Sequence, residues 1–404
     1  MISIAILGFG VVGGGTAEVL SENRKLITEY CGDEVSVKYI LDLRDFPDHP
    51  LGDRVVHDIN VILDDPEVVL VAEMMGGSHP AVDFSRAALK AGKSVVTSNK
   101  EVVANFGAEL LDLARENGVY YLFEASVGGG IPIIRPLQND LASNRILSVS
   151  GILNGTTNFI LTKMKNEGSD FANALKEAQA NGFAEANPAA DVEGLDAARK
   201  IVILAALSFG KLLSPNSISV QGITKITSEH TAVAESLGCA VKLIGHTEQI
   251  DGKVLALVAP HMVPSANPVS HVEGVFNGIL VDANMLGRAL FYGAGAGKLP
   301  TASAVVADIL AAVSSKNEPK LPKWSVADAD ETAHVSLRVC RRCFLFEGCA
   351  KCAEKCKEIF GFDRAVIRND GTFAFLSKAM NDTEADEAVK SCKKTLVWTM
   401  PVLD

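Results

Sequence analysis

Ile2-Ser3-Ile4-Ala5-Ile6-Leu7-Gly8-Phe9-Gly10-Val11-Val12-Gly13 decides the fold of this chain. The first six residues read as a buried strand, and the glycines after them fall in the order G-x-G-x-x-G ahead of a helical stretch over 16–30. Each glycine has its own physical task. Gly8 permits a tight turn, Gly10 lets backbone approach a pyrophosphate, and Gly13 lets a helix lie close on the strand. The helix start then offers unpaired N–H groups and a partial positive charge to phosphates. A glycine turn by itself is often only a packing turn. Opening a βαβ unit, it points to a dinucleotide cradled by Gly8, Phe9, Gly10, Val11, Val12 and Gly13.

Outward from this turn, strands over 35–41, 68–73, 94–97 and 119–124 alternate with helices over 80–91 and 101–117. That alternation is the mark of a parallel sheet with crossover helices, so residues 1–130 are expected to form an α/β, Rossmann-type nucleotide-binding domain. The second strand ends beside Asp42 and Arg44. An acid there would bond the ribose 2′-OH of NAD, whereas an arginine would take the 2′-phosphate of NADP. Both also fit as solvated loop charges; Arg44 tilts the reading to NADP.

From about Ile131 the pattern shifts to an α+β domain over 131–300, with helices over 170–181 and 191–209 beside strands over 145–153 and 253–260. An apolar helix over 301–315 is expected to pack back on the nucleotide domain. After a linker at Asn317-Glu318-Pro319, residues 330–404 read as strand 334–339, helix 348–360, strands 364–368 and 372–378, helix 382–393 and strand 396–402. This βαββαβ order is ferredoxin-like.

The totals agree with several domains. A chain of 404 residues exceeds one core, and 48% hydrophobic with 22% charged residues is too apolar for disorder. A net charge of −11 argues against phosphate-backbone binding as the main task. The first apolar run lacks a basic start and breaks into glycines, unlike a signal peptide, and no run is long enough for a membrane helix. A cytoplasmic protein with reduced cysteines is expected. Six of the eight cysteines lie between Cys340 and Cys392. The units Cys340-Arg-Arg-Cys343 and Cys349-Ala-Lys-Cys352 suggest zinc or iron–sulfur, yet only five residues separate them. Cys349, Cys352 and Cys356 instead fall on one helical stripe, as small packing residues would.

Two segments carry chemistry. Thr97-Ser98-Asn99-Lys100 ends a sheet strand, where open α/β sheets bind ligands; an exposed lysine at a helix start is the plainer reading. The second is Gly182-Phe183-Ala184-Glu185-Ala186-Asn187-Pro188-Ala189-Ala190-Asp191-Val192-Glu193-Gly194-Leu195-Asp196-Ala197-Ala198-Arg199-Lys200. Asp191 reads as an N-cap, and Asp196 and Lys200 share one helix face at i, i+4. Residues 201–207 are apolar all round, so Lys200 enters a buried helix, where a lysine needs a partner or a task.

This second segment resembles the signature of homoserine dehydrogenases, and Gly151-Ile152-Leu153-Asn154-Gly155-Thr156-Thr157-Asn158 and Gly293-Ala294-Gly295-Ala296-Gly297 resemble the same family. The likeness covers residues 1 to about 315. It implies an NADP- or NAD-dependent oxidoreductase, assembled as a homodimer or homotetramer, that interconverts L-homoserine and L-aspartate 4-semialdehyde. It assigns proton transfer to Lys200, with Lys100 beside nicotinamide and substrate, and substrate binding to Glu185, Asp191 and Asp196. It further implies a sodium-like ion on oxygens of Glu124, Val127, Gly129 and Ile131, mostly main-chain carbonyls; a glycine-rich hinge explains the same stretch. The tail resembles an ACT module, although that module's Asp-x-x-Gly turn is not recognisable in 340–348, which leaves effector binding and assembly as alternatives.

Two other functions compete. Aspartate-semialdehyde dehydrogenase handles the same aldehyde through a cysteine, and residues 32–238 contain none. A non-catalytic nucleotide- or amino-acid-sensing module would not need Lys100, Glu185, Asp191, Asp196 and Lys200 together.

Overall fold

The computed structural model describes residues 1–315 and 319–404; Asn317 and Glu318 of the expected linker lie outside the described residues. Ile4, Ala5, Ile6 and Leu7 are wholly buried on both faces, as a central strand of a parallel sheet must be. Strands β1 (Ile2–Leu7), β2 (Val35–Leu41), β3 (Val55–Val56), β4 (Val68–Glu73), β5 (Ser94–Thr97) and β6 (Tyr121–Leu122) run parallel in the order β3-β2-β1-β4-β5-β6. The order reverses between β1 and β4, the point at which such sheets bind ligands. Helix α1 (Val11–Glu22) starts directly after Gly10, five residues earlier than its apolar pattern suggests, because glycines 13–15 leave no periodicity to read. The last strand is short, Tyr121–Leu122, and Glu124, its expected end, instead opens the 3-10 turn Glu124–Ser126.

The helix Lys298–Ser314 packs on α1. A Cβ at Gly15 would lie 2.9 Å from the Lys298 carbonyl oxygen, and Ala304, Val305 and Ile309 share a core with Ile4 and Ile6. Trp324 belongs to the same compact unit, buried against Phe123 with ring centroids 5.3 Å apart and lying over Gly107, where a Cβ would meet its ring at 2.7 Å. This unit comprises Met1–Arg145, Val202–Pro215 and Gly293–Ala327.

A second unit comprises Ile146–Ile201, Asn216–Tyr292 and Asp328–Asp404. Its larger sheet orders the strands Gly287–Ala294, Phe276–Ala283, Ile146–Ile152, Cys239–Ile250, Lys253–Pro264 and Ser219–Val220. The pairs around Ile146–Ile152 and Cys239–Ile250 are antiparallel. Its smaller sheet is the expected βαββαβ arrangement: strand Arg342–Glu347, helix Ala350–Phe360, strands Ala365–Ile367 and Thr372–Leu376, helix Asp382–Cys392 and strand Leu396–Pro401. All its pairs are antiparallel, with the first and third strands central.

The first tail strand is a correction. Residues 334–339 alternate apolar and polar but form only a 3-10 turn, Val335–Leu337. Their pattern is inverted: Leu337 and Val339 are exposed while Arg338 is buried, its Nη1 2.8 Å from His261 Nε2. The strand lies instead at Arg342–Glu347, where Cys343, Phe344, Leu345 and Phe346 are all fully buried, the unbroken apolar run of a two-sided core strand. Phe344, Phe346, Phe360, Phe373 and Phe375 fill that core. Trp398 lies outside it, stacked on His230 at 4.6 Å with its indole N–H donating to Glu229 at 3.2 Å.

The cysteine stripe is also refined. Cys356 sits in the aromatic core and forms a disulfide with Cys392, the two helices bringing their Cα atoms within 5.9 Å, so the expectation of eight reduced cysteines does not hold for this pair. No helix among the described residues is long and apolar enough to cross a membrane.

Candidate active site

The glycine turn is built as its spacing predicts. Gly8 has φ +86°, which a side chain rarely tolerates, and a Cβ there would lie 2.9 Å from the Met74 carbonyl oxygen. A Cβ on Gly13 would come within 2.1 Å of the Gly8 oxygen, whereas a Cβ on Gly10 would meet nothing within 4 Å. Gly10 is therefore the open wall of the turn. A cavity of about 460 Å³ opens there, lined by Gly8, Gly10, Asp42, Arg44, Met75 and Phe84 among others.

Asp42 and Arg44 divide the work at its rim. The Asp42 carboxylate accepts from the Phe9 N–H at 2.8 Å, tying the strand end to the glycine turn, and pairs with Arg44 Nε at 3.0 Å. Arg44, with the N–H groups of Arg44 and Phe9, holds Asp42 down at about 2 despite partial burial. Its charge is fixed at any working pH. The Arg44 side chain is 63% exposed.

The far wall rests on Glu73, the last residue of β4 and fully buried. Its carboxylate accepts from the Thr97 hydroxyl at 2.6 Å and the Met75 N–H at 2.7 Å. Burial pushes its pKa up, against those hydrogen bonds, which favour the charged form. Asn99 donates to the Gly77 oxygen at 2.8 Å while its own oxygen caps the helix Lys100–Glu116 at the Val102 N–H. Lys100 is thus the first residue of a capped helix, half-buried, one position from the side chain that fixes the loop after β4. Sequence reading did not single out Glu73; a glutamate ending an otherwise apolar strand was the available signal.

In the second unit the structure brings Asp191, Asp196 and Lys200 together. Lys200 is 7% exposed, and its ammonium donates to Asp196 Oδ2 and to the Leu153 carbonyl oxygen, both at 2.7 Å. Asn154 links the rest: its Nδ2 donates to Asp191 Oδ1 at 2.7 Å and to Asp196 Oδ2 at 2.9 Å. Its Oδ1 accepts from the Thr157 N–H at 2.9 Å, capping the helix Gly155–Glu167. One side chain therefore sets both carboxylates and a helix start. It stood in the quoted Gly151–Asn158 stretch without a role, because its carboxylate partners lie 37 and 42 positions away.

Asp191 is a correction. It is not the N-cap of a helix running to Phe209 but lies within the short helix Ala189–Val192; a new helix, Leu195–Phe209, follows. Gly194 at φ +85° makes the break. The kink lets Asp191 and Asp196 both reach Asn154, which one straight helix, with five residues turning them onto different faces, would not. Glu185 is exposed and outside this network; its carbonyl accepts from Gln179 Nε2 at 3.1 Å.

In the loop from Glu124 to Ile131 the four expected ion-binding residues are buried together. The Glu124 carboxylate is already engaged by the N–H groups of Ile133 and Ile134 on Oε1, at 2.7 and 2.8 Å, and of Arg135 on Oε2 at 2.8 Å. A Cβ on Gly129, at φ +57°, would lie 2.4 Å from the Gly295 oxygen. Among the described residues no group of three or more His, Cys, Asp or Glu could hold a metal. Any ion here would rest on main-chain carbonyls, hard donors suited to a hard cation.

Comparison with known proteins gives a consistent result. The models for the homoserine dehydrogenase NAD binding domain and for homoserine dehydrogenase match residues 8–124 and 132–310. Homoserine dehydrogenase of Neisseria gonorrhoeae is 43% identical over 311 residues, 76% of this chain and 72% of that one. That of Bacillus subtilis is 42% identical over 317 residues, 78% and 73% of the two chains. The crystal structure of a homoserine dehydrogenase from Thiobacillus denitrificans superposes with a TM-score of 0.88 at 32% identity, covering 100% of this chain and 98% of that one. A hyperthermophilic archaeal homoserine dehydrogenase mutant in complex with NADPH gives 0.66 at 31% identity, over 77% of this chain and 97% of that one.

Proposed function

The chain belongs to the homoserine dehydrogenase family, and from that premise we propose that it interconverts L-homoserine and L-aspartate 4-semialdehyde with a nicotinamide cofactor, in the cytoplasm, for threonine and methionine biosynthesis. The observation that carries the reading is the Lys200 ammonium, buried between the Asp196 carboxylate and the Leu153 carbonyl.

When bound, the nicotinamide supplies or accepts the hydride at the substrate carbon that bears the oxygen. The protein handles the proton. In reduction Lys200 donates one to the oxygen as negative charge develops there; in oxidation it takes the hydroxyl proton. Asp196 holds the ammonium in place, and Asn154 holds Asp196 and Asp191. Asp191 and Glu185 supply negative charge for the substrate's α-ammonium, Glu185 from its exposed position. Lys100 orients cofactor and substrate from its helix start.

Gly8, Phe9, Gly10, Val11, Val12 and Gly13 cradle the pyrophosphate, an assignment supported by the open face at Gly10. We assign NADPH as the preferred cofactor on the exposed Arg44 guanidinium, a ready partner for a 2′-phosphate. A sodium-like ion would rest on the carbonyls of Val127, Gly129 and Ile131 with an oxygen of Glu124, and would stiffen that loop. Residues 1–130 with helix 301–315 serve the nucleotide, and 131–300 the substrate. Residues 330–404 act as an ACT-like module for regulation or assembly. A homo-oligomer is supported by the edge strand Gly287–Ala294, which exposes Leu290 and Tyr292 beside Phe276.

The test follows nicotinamide absorbance with aspartate semialdehyde and either NADH or NADPH. Turnover with both, at a several-fold higher kcat/KM for NADPH, is expected. Folded protein with no turnover in either would overturn the assignment. Arg44→Ala should raise KM for NADPH about tenfold and leave NADH unchanged, the loss of one charge-assisted contact.

A further inference from the structure

The C-terminal cysteines take no part in that chemistry, yet two are arranged for chemistry of their own. Cys349-Ala350-Lys351-Cys352 sits at the start of the helix Ala350–Phe360, with Cys349 exposed as the capping residue and Cys352 half-buried in the first turn. Their sulfurs are 3.7 Å apart. The Cys352 N–H donates to the Cys349 oxygen at 2.8 Å, closing the turn that keeps both sulfurs on one side. Gly348, at φ +146°, makes the room: a Cβ there would lie 2.8 Å from Cys352 Cβ and 3.0 Å from its sulfur. Hydrogen bonds from the Cys349 backbone and side chain, with Lys394 nearby, lower the Cys352 pKa. A thiolate near the N-terminus of an eleven-residue helix is further favoured by the helix field. Cys356, four positions on, is already bonded to Cys392 and so does not compete for Cys352.

We propose that Cys349 and Cys352 form a redox-active dithiol, which a small-molecule or protein disulfide oxidises to an internal Cys349–Cys352 bond. The Cys349 thiolate, its proton released to solvent, attacks one sulfur of the external disulfide. That bond breaks and one thiolate leaves. The Cys352 thiolate then attacks the Cys349 sulfur, forming the internal bond and expelling the second thiolate. Two electrons pass from the dithiol to the external disulfide, whose two thiolates take up two protons. With Cys349 exposed, this bond stays open to exchange with outside thiols, unlike the Cys356–Cys392 bond set in the aromatic core.

The experiment equilibrates the folded, full-length protein with reduced and oxidised glutathione at several ratios, blocks free thiols with iodoacetamide, and maps tryptic peptides by mass. Trypsin cuts after Lys351, so the predicted bond joins two separate peptides. The expected result is loss of two alkylatable thiols per chain as the oxidised fraction rises, with Cys349 linked to Cys352 and full recovery on reduction. Cys352→Ser should trap one glutathione on Cys349, and Cys349→Ser should trap none on the half-buried Cys352. Far-ultraviolet circular dichroism checks that both variants fold. Alkylation of both cysteines at every ratio would overturn the proposal. So would a bond from Cys352 to Cys356 or Cys392.

Discussion

The cavity at the glycine turn and the Lys200 network are built from different materials. The first is made of backbone: Gly8, Gly10 and Gly13 act through side chains they lack, within six consecutive residues. The second is made of side chains from three separate stretches, with Asn154 reaching 37 positions to Asp191 and 42 to Asp196. A backbone site is broken by adding an atom, and a side-chain site by removing one. The contrast predicts how each half fails.

The largest effect should come from Lys200→Ala. Losing the proposed proton donor is expected to lower kcat by about 10²–10⁴-fold with little change in cofactor affinity, measured by steady-state kinetics and cofactor fluorescence. Removing the cation also leaves Asp196 buried without its partner, a cost of about 3–5 kcal/mol. Lys200→Arg, which keeps the charge, separates folding from chemistry: it should restore stability and leave kcat low. Gly13→Ala should do the reverse. Its methyl would press on the Gly8 oxygen, so cofactor KM should rise at least tenfold while saturated kcat changes less.

Asn154→Ala tests whether the second half acts as one unit. The helix cap contributes about 1 kcal/mol, which a melting curve would register. If Asn154 also aligns Asp191 and Asp196, kcat should fall about 10–100-fold as well; a loss confined to stability would reduce Asn154 to a cap. The smallest effect on activity concerns Lys242, 1% exposed, donating to Asn158 Oδ1 at 3.1 Å and to the Val272 oxygen. Burial lowers its pKa from 10.5 to about 8. A depressed pKa favours the neutral form in the fold, so this contribution is full above pH 10.5 and is lost as pH falls through 8. At neutral pH that is about 3 kcal/mol forgone, at roughly 1.4 kcal/mol per pKa unit. The urea midpoint should therefore rise from pH 7 to pH 9.5 in the native protein, and rise less in Lys242→Met.

The same division explains what could be read in advance. The glycine turn, the alternating strands around it and the βαββαβ tail are local patterns, and each is present in the fold. Asp196 and Lys200 were legible because one helical turn joins them. Asn154 was not, since its partners approach only once the chain has folded. Gly194 hid the helix break: a glycine in a helical run signals weakness but not the positive φ that turns Asp191 aside. The misplaced first tail strand shows a related limit. Alternation at 334–339 matched a half-buried strand, yet Arg338 found partners inside, and a buried cation inverts the pattern that polarity alone suggests.

The chain holds two tryptophans, and each compact unit has one: Trp324 over Gly107 and Trp398 against His230. Their surroundings differ, a buried aromatic contact for one and an imidazole with a carboxylate for the other. The molecule thereby carries a natural two-channel fluorescent reporter. Trp324→Phe would leave emission that follows only the unit bearing Lys200, and Trp398→Phe only the unit bearing the glycine turn. Denaturation of the two single-tryptophan proteins, followed side by side, would show whether the halves of this enzyme melt together or in turn.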